Sequence, residues 1–296
     1  MLTLRQIRYF EALARLGHFG RAAEDCGVTQ PALSMQIREM EEMLRVKLVE
    51  RTPAGVRLTP IGEDAAVRAR ALLAGVGDFE RSLRDHGRLL QGRLRLGVIA
   101  SVGPYLLPLL LPELARRFPK VEIALSESLT EHLVGELVHG DLDVVILSLP
   151  LVHPALETRA LFDDAFVLAV PETAEGYPGP VVRADAVDPD GLLLLEDGHC
   201  LRDQALNVCR HADARRLRRF GASSLSTLAQ LVANGQGVTL LPDMFVRSEG
   251  VSLPRVRLIP FAPPAPFRTI GLAWRRTLPF PEDVEALAQA ITASRP

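Results

Sequence analysis

From Arg93 onward, short apolar runs alternate with helical segments. The apolar runs are predicted strands: Leu94–Ile99, Val121–Ser126, Asp143–Leu147, Ala165–Val170, Leu192–Leu195, Val238–Leu241 and Thr269–Trp274. Between them, Leu106–Phe118 and Thr130–His139 have the period of amphipathic helices. This alternation predicts an α/β fold with a mostly parallel sheet.

The overall composition excludes several classes of protein. The chain has 296 residues, a length typical of about two domains. Its 34 basic and 36 acidic residues give a net charge of −2, so no strong global field points to a nucleic acid. Three cysteines are too few for a disulfide-stapled secreted scaffold, and no apolar run reaches the ~18 residues of a membrane span. We therefore expect a soluble cytoplasmic protein with no signal peptide and no membrane partner.

A helix-turn-helix is predicted within residues 18–38. Gly27 supplies the turn, Thr29 is suited to cap the second helix, and Pro31 is tolerated in its first turn. The second helix is expected to bury an apolar face formed by Leu33, Ile37, Met40 and Leu44. Cys26 is expected in the core of the same domain, because it follows Ala22 by four residues on one helix face.

The outward face of the second helix begins with short polar side chains, which suits a recognition helix. The next segment, Leu48–Thr59, is predicted to form a wing of two strands that carries two arginines towards DNA. The predicted DNA-contacting residues are Thr29, Gln30, Pro31, Ser34, Met35, Arg38, Arg51 and Arg57. On spacing alone, a small helical domain that only packs on the rest of the chain, or binds another protein, stays an alternative.

One long helix is predicted from residue 59 to residue 90. Thr59 can cap it and Pro60 suits its first position. A four-three alternation of apolar residues forms a heptad seam: Ala65, Ala69, Leu72, Val76, Phe79 and Leu83. Because the opposite face is charged, the seam indicates self-pairing, and burial on the helix's own domain is the alternative.

Two of the three cysteines lie in the segment 196–211. Helical character from Leu201 to Arg210, after an Asp-Gly turn signal, places Cys200 at a helix N-terminus. Backbone N–H groups and the helix dipole there favour a reactive thiolate. His199 and Arg202 are adjacent donors or positive charges.

The second cysteine of this segment, Cys209, follows Cys200 by nine residues. A continuous helix would separate their Cα atoms by roughly 13 Å and point the side chains to opposite sides. A disulfide needs Cα atoms within about 7 Å, so the two can bond only if the helix unwinds. Three interpretations stay open on the residues alone: two structural cysteines, a zinc site formed with His199 and His211, and a redox switch. The C-x8-C spacing of the two cysteines fits a zinc site poorly.

The run from His18 to Thr59 carries Ala22-Ala23, Val28–Ser34 and Ile37. With these residues it resembles the winged helix-turn-helix of LysR-type transcriptional regulators, and the resemblance extends over the whole chain. It implies a winged helix-turn-helix DNA-binding domain (1–58), a linker and dimerisation helix (59–90) and a periplasmic-binding-protein-like effector domain (91–296). That effector domain would have two α/β lobes, lobe I at about 91–162 plus 267–296 and lobe II at about 163–266.

The resemblance is closest to the hydrogen-peroxide-sensing branch of that family. It rests on Glu196–Ala205 (EDGHCLRDQA) with Cys209 beyond it, and on Val102–Pro108 and Arg268–Leu272. It implies that Cys200 is the peroxidatic thiolate and Cys209 the resolving thiol, which form a reversible disulfide through a sulfenic acid. The implied peroxide pocket consists of Ser101, Thr130, His199, Arg202, Asp203 and Arg268. Ser101 stands where the branch usually has threonine, which keeps the hydroxyl and loses the methyl group.

The resemblance also implies partners. They are double-stranded operator DNA, further copies of the chain in a dimer of dimers, RNA polymerase, hydrogen peroxide as signal and a thiol reductant that resets the switch. No enzyme activity, cofactor or metal is expected, and the predicted location is the bacterial cytoplasm at the nucleoid. The alternatives are a LysR-type regulator with a small anionic effector between the lobes, a thiol peroxidase or reductase, and a plain periplasmic-type binding protein.

Overall fold

Strands and helices alternate from Arg93 onward in the computed structural model, which describes residues 1–52, 55–84, 89–188, 191–208, 222–249 and 253–295. The chain separates into two units, one built mainly from the N-terminal helices and wing, and the other from the α/β part. Within the described ranges, no helix is long and apolar enough to cross a membrane.

The first unit consists of helices around a small hairpin. Its elements are α1 (Leu4–Leu16), α2 (Phe19–Asp25), α3 (Gln30–Leu44), β1 (Val49–Thr52), β2 (Gly55–Leu58) and α4 (Pro60–Arg84). Thr3 begins α1 with a reciprocal capping box to Gln6, and Gly17 ends it in the left-handed conformation (φ 62°). Phe10 and Leu13 of α1 are fully buried in the unit's core.

The buried face of α3 agrees with the predicted spacing at three of four positions. Leu33, Ile37 and Met40 are buried, whereas Leu44 is 40% exposed, so its assignment to the core is wrong. The helix ends at Leu44 and the chain turns in the left-handed conformation at Arg45 (φ 54°). Leu48, just beyond this turn, is buried in the core of the unit.

A buried carboxylate joins α3 to the wing. Glu41 is 6% exposed and accepts hydrogen bonds from the amides of Leu48 (2.8 Å) and Val49 (3.1 Å). Its other oxygen lies 2.7 Å from Lys47 Nζ. Burial opposes ionisation, but these hydrogen bonds outweigh it and lower the pKa of Glu41 below its ordinary value.

Helix α4 begins as predicted. The Thr59 hydroxyl accepts a hydrogen bond from Gly62 N (3.0 Å), and Pro60 is the first helical residue. Gly62 allows α4 to start against the wing, because a β-carbon there would lie 2.0 Å from the Leu48 carbonyl oxygen.

The predicted seam of α4 divides into two parts. Ala69 is buried in the core of the first unit, and Ala65 packs against that core. Leu72, Phe79 and Leu83 are 56%, 64% and 66% exposed, and Val76 is half-buried. On the opposite face, which the sequence predicts to be charged, Asp78 is 2% exposed and therefore does not face solvent.

The second unit is built on a seven-stranded sheet. Its strands are β3 (Arg93–Ile99), β4 (Glu122–Ser128), β5 (Val144–Leu149), β6 (Leu156–Pro171), β7 (Thr239–Pro242), β8 (Val256–Pro260) and β9 (Phe267–Arg275). Its helices are α5 (Gly103–Arg117), α6 (Thr130–His139), α7 (Cys200–Val208), α8 (Leu225–Ala233), α9 (Asp243–Glu249) and α10 (Pro281–Ala293), with short 3-10 turns at Leu89–Gln91 and Ala184–Ala186.

The strand order is β4-β3-β5-β9-β6-β7, and β8 pairs with β6. Strand β6 joins two halves of the sheet, because residues 156–165 pair with β9 and residues 166–171 pair with β7 and β8. The first half holds β3, β4, β5 and β9, and the second half holds β7 and β8.

The expectation of a mostly parallel sheet is wrong. Among the strands of the described residues, β3 pairs in parallel with β4 and β5, whereas β9 is antiparallel to both of its neighbours and β6 is antiparallel to β7, β8 and β9. The cause is that β6 leaves the first half for the second, whereas β9 begins where the chain returns to the first half, so the two strands run in opposite directions. The predicted strand Leu192–Leu195 makes only isolated bridges, to Val238 and Ala222.

Candidate functional site

The predicted DNA-contacting residues of α3 lie at its start. Thr29 precedes the first helical residue, as predicted, but its side chain makes no capping hydrogen bond. Among the predicted contacts on α3, only Ser34 is half-buried; the others are exposed, namely Thr29, Gln30, Pro31, Met35 and Arg38.

The wing is fixed to α3 by one of its predicted DNA contacts. Arg51 Nη2 donates to Ser34 Oγ at 2.7 Å, and the guanidinium lies 4.7 Å from the centroid of the Phe19 ring. Arg57 lies on β2 opposite Glu50 and is exposed. Ser34 and Arg51, predicted separately, therefore bind each other and hold the wing beside the start of α3.

In the second unit, Cys200 is the first residue of α7, as the turn signal and helical pattern predicted. The preceding turn contains Gly198 in the left-handed region (φ 93°). The Cys200 thiol is free and half-buried. Cys209 lies outside the described residues.

Cys26, in the first unit, also has a free thiol. It packs at the edge of that unit's core, and burial raises its pKa.

The loop before Cys200 is braced by Arg202. Its Nε lies 2.9 Å from Asp197 Oδ1, and its Nη1 donates to the Leu195 carbonyl at 3.1 Å. Arg202 is therefore engaged with its own loop, while Asp203 on the next helical position is exposed. The brace fixes where α7 starts.

His199 precedes the thiol and is half-buried. Burial lowers the pKa of His199 below its ordinary value, although the nearby Glu196 carboxylate acts in the opposite direction. The neutral imidazole is thus favoured near pH 7, so this side chain can donate or accept a hydrogen bond but does not supply a positive charge.

The residue that precedes Thr130 lies against the loop before Cys200. A β-carbon on Gly198 would be 3.1 Å from Leu129 Cδ1, so the loop contacts the residue that immediately precedes Thr130. Thr130 is the first residue of α6, and its hydroxyl oxygen is buried with no hydrogen-bond partner in the described ranges. A buried unpaired hydroxyl is costly, and a small polar ligand in this place would satisfy it.

The last two predicted pocket residues form a buried network. Arg268 is 2% exposed; its Nη1 donates to Ser101 Oγ (2.8 Å) and its Nη2 to the Ser101 carbonyl (3.0 Å). Its Nε donates to Asp164 Oδ2 (2.9 Å), and Asp164 Oδ1 accepts from Met244 N (3.0 Å) at the start of α9. The ion pair therefore links β6, β9, α9 and the turn before α5.

Sequence reasoning missed three residues near this site: Asp164, Ser148 and Gln204. A carboxylate beside the apolar run 165–170 was the only signal for Asp164. Gln204 lies within the motif Glu196–Ala205 but was given no role, and nothing in the sequence distinguishes Ser148 from other polar residues. No group of three or more metal-ligating His, Cys, Asp or Glu side chains occurs among the described residues.

Both parts of the chain match known families. Residues 4–63 match the bacterial regulatory helix-turn-helix proteins of the lysR family, and residues 87–295 match the LysR substrate binding domain. A winged helix-turn-helix domain joined to this two-lobed domain defines a LysR-type regulator. The chain belongs to the LysR family of bacterial regulatory helix-turn-helix proteins, whose members are transcriptional regulators and not enzymes.

Within that family the chain is similar throughout its length to OxyR. The DNA-binding transcriptional dual regulator OxyR of Escherichia coli (strain K12) is 41% identical, with 99% of this chain and 95% of the relative covered. The hydrogen peroxide-inducible genes activator of Dickeya chrysanthemi is 39% identical over 98% of this chain and 95% of its own length.

Solved structures give the same result. A full-length OxyR variant from Pseudomonas aeruginosa is 35% identical, covers 98% of this chain and 95% of its own, and has a TM-score of 0.76. An H2O2-bound OxyR variant from Corynebacterium glutamicum is 32% identical, covers 99% of this chain and 94% of its own, and has a TM-score of 0.65.

Proposed function

We propose that this protein is a hydrogen-peroxide-sensing transcription regulator of oxidative-stress genes, switched by a reversible disulfide between Cys200 and Cys209. The observation that carries the proposal is the position of Cys200 at the first residue of α7, after a loop whose Gly198 lies against Leu129, next in sequence to the buried Thr130 hydroxyl that has no partner in the described ranges. The similarity to hydrogen peroxide-inducible activators supports peroxide as the signal.

The proposed chemistry needs two thiols and one peroxide. The Cys200 thiolate attacks one peroxide oxygen, the O–O bond breaks, and the second oxygen leaves as water after taking up a proton. The resulting sulfenic acid is attacked by the Cys209 thiol, which forms the S–S bond and releases a second water. The thiols are oxidised by two electrons, and an external thiol reductant must return them.

The pocket residues have separate roles in this proposal. Thr130 supplies a hydroxyl to the bound peroxide, and His199 acts as a neutral hydrogen-bonding group beside it. Arg202 holds the loop through Asp197, and Asp203 lies one helical position beyond it. Arg268 would stabilise the thiolate, and its bond to Ser101 holds that hydroxyl.

The N-terminal domain (1–58) is the proposed DNA reader. The exposed start of α3 would meet base edges in a major groove, and Arg57 on the wing would meet an adjacent backbone. The exposed apolar residues of the linker helix (59–90) would pair two copies, which places two readers on neighbouring half-sites of a pseudo-palindromic operator.

The remaining steps concern the effector domain (91–296). Disulfide formation would rebuild α7 and the segment beyond it, change how its two lobes pack in a dimer of dimers, and alter contact with RNA polymerase. The soluble regulator would act on DNA in the bacterial cytoplasm, at the nucleoid.

The test is the mass and free-thiol count of the reduced full-length protein after treatment with equimolar hydrogen peroxide. We expect the loss of two hydrogen atoms, one remaining free thiol, and a peptide that links Cys200 to Cys209. Cys26→Ser is the matched control and should form the same linked peptide with the same loss of two hydrogen atoms, but with no free thiol remaining, because burial raises the pKa of the Cys26 thiol and disfavours its reaction. Unchanged mass with all three thiols retained would contradict the redox switch and favour a small anionic effector between the lobes.

A further inference from the structure

Within the residues that the structure describes, the apolar anchoring of α7 is small. Leu201 and Ala205 are its buried apolar residues. On another face, Gln204, Asn207 and Val208 line a cavity of about 960 Å³. Because apolar burial anchors helices to a fold, a helix with two buried apolar residues in its described range depends more on its polar contacts.

One such polar contact joins α7 to β5, a strand of the first half of the sheet. Gln204 Nε2 donates to Ser148 Oγ at 2.5 Å, and the Ser148 hydroxyl in turn donates to the Thr269 carbonyl at 3.4 Å. Ser148 is 5% exposed and lies on β5, in register with β9. The side-chain oxygen of Gln204 is buried and has no partner in the part of the chain that the structure describes.

The position of Gln204 matters because it follows Cys200 by four residues, one helical turn along α7. A disulfide to Cys209 requires the helix between them to unwind, since a continuous helix keeps the two Cα atoms roughly 13 Å apart. Unwinding at this turn would move Gln204 away from Ser148. The hydrogen bond is therefore available to the helical, dithiol form and not to the rebuilt disulfide form.

We infer that Gln204 is a positioning residue of the redox switch, whose hydrogen bond to Ser148 holds α7 helical and stabilises the reduced state. The inference rests on the proposed Cys200–Cys209 disulfide. It explains why a helix beside a large cavity keeps its helical form, and it assigns part of the protein's sensitivity to oxidation to a contact outside the peroxide pocket.

The sign of the effect follows from which state holds the bond. Stabilising the dithiol form raises the reduction potential, so removing the bond should make the disulfide harder to reduce. A net hydrogen bond of typical strength corresponds to about a fivefold change in the thiol–disulfide equilibrium constant. For a two-electron couple this is a potential about 20 mV more negative.

The experiment is a redox titration of the full-length protein in dithiothreitol buffers, with the Cys200–Cys209 disulfide quantified by mass after thiol trapping. Gln204→Ala and Ser148→Ala should each shift the equilibrium about fivefold towards the disulfide, and the double variant should shift it no further than either alone. Asn207→Ala is the matched control on the same helix and cavity wall. It should leave the equilibrium unchanged or shift it towards the dithiol, because alanine favours the helix.

A second measurement does not require the disulfide. Amide hydrogen exchange of residues 201–208 in the reduced protein should be about fivefold faster in Gln204→Ala and Ser148→Ala than in the wild type. A disulfide that forms with the same potential in all variants, together with unchanged exchange, would overturn the role of Gln204 alone. A wild-type protein that forms no Cys200–Cys209 disulfide would overturn both this role and the proposed switch.

Discussion

The substitution Asp164→Asn tests the buried network that joins the two halves of the sheet. The side chains of Asp164 and Arg268 are 1% and 0% exposed, with Arg268 Nη2 lying 2.9 Å from the carboxylate. Asparagine keeps an oxygen that can accept the hydrogen bond from the Met244 amide, but it removes the negative charge that pairs with Arg268. Breaking a buried pair from one side typically costs about 3–5 kcal/mol, because the other charge stays buried without compensation.

The matched control is Asp163→Asn, the same change one residue earlier on β6. Asp163 is exposed and accepts only an exposed hydrogen bond from Thr269 Oγ1 (2.7 Å), so its loss should have a much smaller effect. The two variants thus share chemistry and strand and differ in burial.

Urea unfolding followed by tryptophan fluorescence measures the difference. The chain has one tryptophan, Trp274, which lies on β9 and reports on the second unit. With a urea slope of about 2.5 kcal/mol per molar, Asp164→Asn should lower the midpoint by about 1–2 M. Equal midpoints for Asp164→Asn and Asp163→Asn would refute the argument that this ion pair stabilises the junction.

Three further predictions concern other parts of the molecule. Glu41→Gln should destabilise the first unit by about 1–3 kcal/mol at pH 7. Because hydrogen bonds lower the pKa of Glu41 despite its burial, the difference in stability between the variant and the wild type should shrink as pH falls from about 5 to 3. Thermal unfolding measures this difference, and a difference that stays constant with pH would contradict the prediction. Burial lowers the pKa of His199, so its NMR titration should have a midpoint below about 6.5, and the loss of stability as pH falls below that value should be smaller in His199→Gln than in the wild type. A midpoint above 6.5 would exclude the neutral form. Phe79→Glu, which places a charge on the apolar seam of α4, should shift the protein to smaller species in analytical ultracentrifugation. Val67 is 54% exposed on another face of α4, so Val67→Glu should not cause this shift. Equal effects of the two substitutions would argue against pairing through the seam.

Local features of this fold could be predicted from the sequence because they depend on neighbouring residues. Thr59 and Pro60 mark a helix start by their own chemistry, and the Asp-Gly turn before Cys200 does the same for α7. The periodicity of α3 identifies Leu33 and Ile37 as core. It fails at Leu44 because periodicity does not show where a helix leaves the core.

Contacts between distant parts of the chain could not be predicted. The antiparallel crossing of β6 and β9 depends on how the chain returns between two halves of one sheet, whereas the strand pattern alone favours parallel pairing. Asp164 and Arg268 are separated by 104 positions, and Ser148 and Gln204 by 56, so no local pattern joins them. Only the resemblance to a known family pointed to Arg268, and nothing pointed to its carboxylate partner.

The most direct test of the central claim is a DNA footprint of the same protein before and after hydrogen peroxide. The DNA would be a site selected by the reduced full-length protein from random sequence, and Cys200→Ser would be tested beside the wild type. We expect peroxide to change the length or position of the wild-type footprint, a thiol reductant to restore it, and Cys200→Ser to keep the reduced footprint throughout. A wild-type footprint that does not change with peroxide, or a change that persists in Cys200→Ser, would contradict a regulator switched by this cysteine.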